Sequence, residues 1–195
     1  MVNDAKNTIV LKELAHASIG YPFRGAVKSV PEGDVAVVQI KNADPDTGID
    51  WPALPRTELT GRKQPDWLKS GDVLFAARGN RNMAIYLEDV PDRAVCAPQF
   101  YRLRVRGESV LPAYLAWYLN ETPAQRYFAQ SAEGTLITSI RRAVLEALPV
   151  PVPNIKRQRV IAKLADAVRR EKQLTEKLIQ NREQQLRLVA TGLNQ

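Results

Sequence analysis

The 195-residue chain has one cysteine, Cys96, and one histidine, His16. A single cysteine excludes an internal disulfide and a multi-cysteine zinc site, and one imidazole leaves little from which to build any metal centre. No apolar run approaches the roughly 20 residues that cross a bilayer. The opening residues, MVNDAKNTIVLKELA, lack the charged, apolar, then small-residue layout of a secretory leader, so the expected compartment is the cytoplasm. Also missing are a GxxxxGK[ST] phosphate loop, a GxGxxG turn after a strand, a GxSxG elbow, and the Asn-Pro-Pro or Asp-Pro-Pro tetrapeptide that flips and methylates a base. The acidic residues are scattered through loops with no repeated spacing. His16 reads as a structural imidazole and Cys96 as a small buried hydrophobe. No catalytic residue, metal or cofactor is expected, and the chain is read as one that binds rather than breaks bonds.

What is present is positive charge, unevenly spread. The net charge is +7, from 28 basic and 21 acidic residues. From Asn154 onward there are 10 basic and 4 acidic side chains, against 18 and 17 before it. A polyanionic partner, nucleic acid first, is the natural complement of such a chain.

The basic tail is also the most regular stretch. The proline run Pro149-Val-Pro-Val-Pro153 cannot be helix interior, because each proline lacks an amide donor and clashes with the preceding turn. Beyond it no proline or glycine appears until Gly192, and good helix formers dominate. Val160, Leu164, Ala167, Leu174, Leu178 and Leu188 fall on alternating steps of four and three, the seam of a coiled coil, with Glu171, Asn181 and Gln185 as polar interruptions. About 35 residues at 1.5 Å each make a rod roughly 50 Å long. Its stripe needs a partner helix. The plainer alternatives are a surface helix lying on its own domain and a generic oligomerisation tag.

Ahead of the rod, Val35–Ile40 and Val73–Ala77 read as buried strands, and Arg78–Asn82 as the polar loop of a hairpin returning through Met83–Leu87. Gln99–Arg106 alternates with a period of two, placing Arg102, Arg104 and Arg106 on one side, either solvated or facing phosphates. Gly20–Gly25 and Lys41–Gly48 are loops. Leu111–Asn120, Pro123–Ala132 and Ile140–Leu148 read as helices, with Thr122 capping the second and Thr138 or Ser139 the third. Strands first and helices later predict an α+β class: one globular mixed α/β domain over 1–148, a proline linker over 149–153, and a long coiled-coil helix over 154–195.

Taken in order, these features resemble the DNA-specificity subunit of type I restriction-modification systems. The residues that carry the likeness are Leu11-Lys-Glu-Leu-Ala15 with Gly20 and Pro22, Leu68-Lys-Ser-Gly-Asp-Val-Leu74 with the hairpin after it, Tyr114-Leu-Ala-Trp-Tyr-Leu119, Gly134-Thr135 with Ile140, and Leu148 through Gln158 to Ile161. Prolines, an aliphatic residue, Gln158 and Ile161 at the start of a rod are the most specific of these. Arg157 stands where the family usually has Glu. The resemblance implies a non-catalytic subunit that reads duplex DNA while modification subunits methylate adenine and a restriction subunit translocates and cleaves. The family's subunit has two recognition domains and two antiparallel helices. One domain and one helix therefore imply a half-subunit, and a homodimer joined rod to rod would read a bipartite inverted repeat. Asn181 in the seam would help fix register. A second reading is a stand-alone dimeric repressor or an anti-restriction decoy.

Bases are read by Arg, Asn and Gln at their edges, while phosphates position the protein. The loops offering such groups are Arg78, Asn80, Arg81 and Asn82; Lys41 and Asn42; and Tyr21 and Arg24. Thr135, Thr138, Ser139 and Arg141 surround a predicted helix start suited to a phosphate.

Overall fold

The computed structural model describes residues 7–59, 64–79, 82–131 and 138–192. In chain order the elements are β1 (Thr8–Val10), α1 (Leu11–Leu14), β2 (Ala15–Ile19), β3 (Val35–Val38), β4 (Ala43–Asp44), β5 (Gly48–Ile49), β6 (Arg56–Thr57) and β7 (Val73–Ala76). There follow β8 (Arg78–Gly79), β9 (Ala84–Tyr86), β10 (Ala94–Cys96), β11 (Phe100–Val105), α2 (Pro112–Asn120), α3 (Thr122–Ser131), β12 (Thr138–Ser139), α4 (Arg142–Glu146), β13 (Pro149–Pro151) and α5 (Ile155–Gly192). The α+β class and the long terminal helix are as expected.

An antiparallel sheet in the order β2-β11-β7-β9 forms the centre of the head. Its pleat sorts the side chains of β7 by parity. Val73 and Phe75 join Leu103, Leu115, Leu119, Phe128 and Leu145 under the helices, with the Phe75 and Phe128 rings 4.8 Å apart. Leu74 and Ala76 join Phe100, Val38 and Cys96 on the opposite face. There a second sheet, β10-β3-β6, is laid on; β10 runs parallel to β3, and β6 antiparallel to it. Val35 and Val37 then face outward into a third cluster with Tyr21 and Val95. β3 is apolar throughout because both of its faces are covered.

Of the three arginines on that side, Arg102 and Arg104 in β11 are taken up by carboxylates, while Arg106, just past the strand, is exposed. Arg102 is buried and bonds the carboxylate and carbonyl of Asp66, while Arg104 forms a two-pronged pair with Asp72 at 2.7 Å on each arm. Arg106 reaches Nδ1 of His16 at 3.3 Å.

The proline run, expected as a linker, is a strand of the head. β13 pairs antiparallel with β1, Val150 opposite Ile9. Because the prolines alternate, their missing amides all lie on the edge away from β1. On that edge their carbonyls accept hydrogen bonds from Tyr118 (to Pro149, 3.0 Å) and Tyr114 (to Pro151, 2.8 Å). The head therefore ends at Pro153. Asn154 caps the rod, its Oδ1 accepting the Arg157 amide at 3.0 Å, a bond indifferent to the side chain at position 157.

α5 has 38 residues, about 57 Å at 1.5 Å per residue. Among the described residues no helix is long and apolar enough to cross a membrane.

Candidate nucleic-acid interface

Three of the segments singled out in the sequence converge at one corner of the head. After β7 the chain steps sideways as β8, which pairs with β12, placing Arg78 opposite Ser139 and Gly79 opposite Thr138. The seam continues where the Ile140 amide donates to the Ala77 carbonyl at 2.8 Å. Residues 59 and 61 positions apart are thus stitched side by side. The turn Ile40–Asn42 leans on the same place: Gly79 has φ +137°, and a Cβ there would stand 3.3 Å from Cδ1 of Ile40. Glycine fits both the backbone angle and the approach.

On this corner Lys41, Arg78 and Arg141 are exposed and Ser139 is half-buried. Asn42 is half-buried, with its Oδ1 enclosed and without a hydrogen-bond partner. Three cations on neighbouring short segments suit a backbone of phosphates, and Arg78, held in β8, also suits a base edge.

Other expected readers are placed differently. Tyr21 is 7% exposed and packs in the third core cluster, edge-on to Phe23 at 5.0 Å, so it supports the fold. Gly20 before it has no room for a side chain, since a Cβ would fall 2.2 Å from the Ala97 carbonyl oxygen. Arg24 is exposed, on the loop that follows. Asn82 ties the hairpin from within, its Nδ2 donating to the Ala76 carbonyl at 2.9 Å, which withdraws that donor from a base. Thr138 and Ser139 are strand rather than cap; α4 begins at Arg142, with Arg141 in the cap position and no side-chain cap bond. A five-residue helix has too few aligned peptides to hold a phosphate at its start. Asn80, Arg81 and Thr135 lie outside the described residues.

Two residues away from this corner have structural roles that no local pattern in the sequence reveals. Asn120, the last residue of α2, bonds both the amide (2.9 Å) and the carbonyl (2.8 Å) of Ala84, closing the free edge of β9 as another strand would. Gln158 stands out in the sequence only through the family resemblance. It is fully buried, accepting the Leu111 amide at 2.8 Å and donating to the carbonyls of Ser109 (2.9 Å) and Pro153 (2.8 Å). This amide anchors the first turn of the rod to the head.

The rod has two faces. At about 100° per residue, Gln158, Ala162, Ala165, Arg169 and Gln173 share the face toward the head. Val160, Leu164, Ala167 and Leu178 lie on the opposite face, and Leu174, Asn181 and Leu188 continue it with the drift of about 20° per heptad that winds a left-handed supercoil. This second face is bare: Val160 and Leu164 are each 65% exposed and Leu174 68%, and Ala167, Leu178, Asn181 and Leu188 are exposed as well.

Burial pushes the Cys96 thiol up to about 12, so it stays protonated and inert. Among the described residues no three His, Cys, Asp or Glu side chains are grouped to hold a metal.

Solved structures share this fold. The S subunit of the type I restriction-modification system from M. genitalium matches 84% of this chain with TM-score 0.57 at 17% identity. The HsdS subunit from Thermoanaerobacter tengcongensis matches 88% with TM-score 0.57 at 16% identity. A chain from the type I R-M system solved for its complex assembly and conformational transition matches 88% with TM-score 0.62 at 16% identity. The present chain spans about two fifths of the length of each, 39–40%. No curated protein sequence matches it. Residues 56–184, well over half the chain, match the family described as the type I restriction modification DNA specificity domain. Because that match covers well over half of its length, the chain belongs to the type I restriction-modification DNA specificity family.

Proposed function

We propose that the chain is a non-catalytic half-subunit that recognises a specific sequence in double-stranded DNA, and that two copies pair through α5 to read a bipartite inverted repeat. The observation that carries this is the bare apolar seam on the side of the rod turned away from its own head. Burying several leucines and valines stabilises a pair by roughly 1.5–3 kcal/mol for each side chain fully covered, so a second identical rod is a fitting occupant. If the rods pair antiparallel about the two-fold axis, the heads lie toward opposite ends of the rods. A rod of about 57 Å against roughly 34–36 Å per turn of DNA leaves the half-sites more than one turn apart.

In each head, Lys41, Asn42, Arg78, Ser139 and Arg141 present the corner that meets DNA; on sequence grounds Asn80, Arg81 and Thr135 are assigned DNA contact as well. The seam residues Val160, Leu164, Ala167, Leu174, Leu178 and Leu188 form the pairing face, and Asn181 sets register. Adenine methylation belongs to modification subunits, and translocation with cleavage to a restriction subunit; this chain holds them over the target in the cytoplasm. The domain scheme that follows is a recognition head through Pro153 and a spacer helix from Asn154.

The test is a selection from random duplex DNA by the purified chain together with its methyltransferase subunits at fixed salt. A recovered pair of inverted half-sites with one gap length supports the assignment. Recovery of no sequence contradicts it, and equal recovery by the chain alone, unable to bind any methyltransferase, points to the repressor or decoy reading.

A further inference from the structure

A second contact between head and rod lies far from the first. The short hairpin β4–β5 closes through Pro45-Asp46-Thr47, and the Asp44 carboxylate holds that turn rigid by accepting the amides of Asp46 and Thr47 at 2.8 Å each. Gln173 in mid-rod donates to the carbonyls of Asp46 (3.0 Å) and Thr47 (3.2 Å). Lys172 Nζ pairs with the Asp46 carboxylate at 2.8 Å, and the Arg169 guanidinium lies over Gly48.

Gln158 and Gln173 are fifteen residues apart, about 22 Å along the helix. One anchor leaves a pivot; two anchors at that separation fix a direction. The turn that touches the rod is also the far end of the segment whose other end, Ile40, packs against Gly79 at the basic corner. Residues 40–49 therefore run from the DNA-facing hairpin to the middle of the rod as one continuous brace.

We infer that this brace sets the spacing at which the two half-sites are read, so that Gln173 and Lys172 are positioning residues for gap length while touching no DNA. The inference rests on the DNA-reading assignment above. A head of this size has its surface roughly 20 Å from its centre. For a lever arm of about that length from the Gln158 anchor, a tilt of about 10° moves the corner by about 3.5 Å, close to the 3.4 Å of one base-pair step. Weakening the second anchor leaves each head able to read its half-site but lets the gap vary.

The experiment uses the full chain with its methyltransferase subunits and duplexes carrying the two selected half-sites at gaps changed one base pair at a time. The wild type is expected to favour one gap. Lys172→Ala/Gln173→Ala is expected to bind that target but to spread its preference over neighbouring gaps, the ratio of best to adjacent gap falling toward one. Asp44→Ala, which dissolves the turn from the head side, is expected to do the same. Circular dichroism and melting check that both variants fold. A variant that still binds and keeps the wild-type gap ratio overturns the brace alone. Failure of the wild type to retain any duplex overturns the DNA assignment and the brace with it.

Discussion

The side-chain carbonyl of Gln158 accepts the backbone amide of Leu111 at 2.8 Å, joining the first turn of the rod to the residue that opens α2. The same amide group donates to Ser109 and Pro153, so one buried side chain satisfies three backbone groups from two separate stretches. Removing it leaves those groups enclosed without partners, at about 1–3 kcal/mol each and less than additively. Gln158→Ala is expected to destabilise the chain by about 3 kcal/mol, read as a lower urea midpoint. A midpoint within experimental error of wild type would mean that the rod is held by other contacts.

The corner of Lys41, Arg78 and Arg141 separates phosphate from base contacts by experiment. Arg78→Ala is expected to weaken target binding by about 1–3 kcal/mol while sparing non-specific duplex and the melting temperature. Lys41→Ala is expected to weaken all duplexes alike and to flatten the log affinity against log salt plot by about one unit of slope. Titrations at several salt concentrations distinguish the two; equal affinities for both variants and wild type would place the interface elsewhere.

Asp66 gives a pH dependence with a definite sign. Burial works to raise its carboxyl pKa, but the hydrogen bond and charge of Arg102, with Arg104 beyond, outweigh it and hold the group below the ordinary carboxylate range. A group depressed in the folded state contributes stability above its unfolded pKa and loses that contribution as the pH falls through the folded value. Wild type is therefore expected to exceed Asp66→Asn in stability at neutral pH, and the gap to close on acidification below about pH 4. Urea melts across that range check it, and a gap that widens in acid would reverse the assignment.

The rod seam predicts self-association that the head does not supply. Leu164→Asp together with Leu178→Asp alters two side chains that are 65% and 57% exposed, so the melting of the head is expected to stay unchanged. Sedimentation is expected to shift from dimer to monomer, because two charges would be enclosed in the paired seam. A variant that stays dimeric would exclude the seam as the joint.

The parts of this architecture that follow local rules could be read from the sequence. The seam of α5 declared itself because 3.5-residue periodicity needs no knowledge of the rest of the chain, and β7 did so as a short β-branched and aromatic run between turns. The roles of Arg102 and Arg104 could not be read, since period two says which face they share but not that Asp66 and Asp72 lie across from them. The proline run misled for a related reason: it excluded helix correctly, but only the tyrosines of α2 and the pairing with β1 make an alternating proline strand. Tyr21 sits in a loop with an arginine and two glycines, yet its ring fills a core that exists only once β3 and β10 pair. The basic corner is visible in the sequence as separate loops. Their union depends on Arg78 pairing with Ser139, a contact no local pattern encodes.

The most direct test of two copies reading one gapped target is a map of adenine methylation in cells with and without the gene for this chain. The expected result is a motif of two inverted identical halves with a fixed gap, methylated on both strands and lost on deletion. A motif whose halves differ, or a methylation pattern indifferent to the deletion, would contradict it.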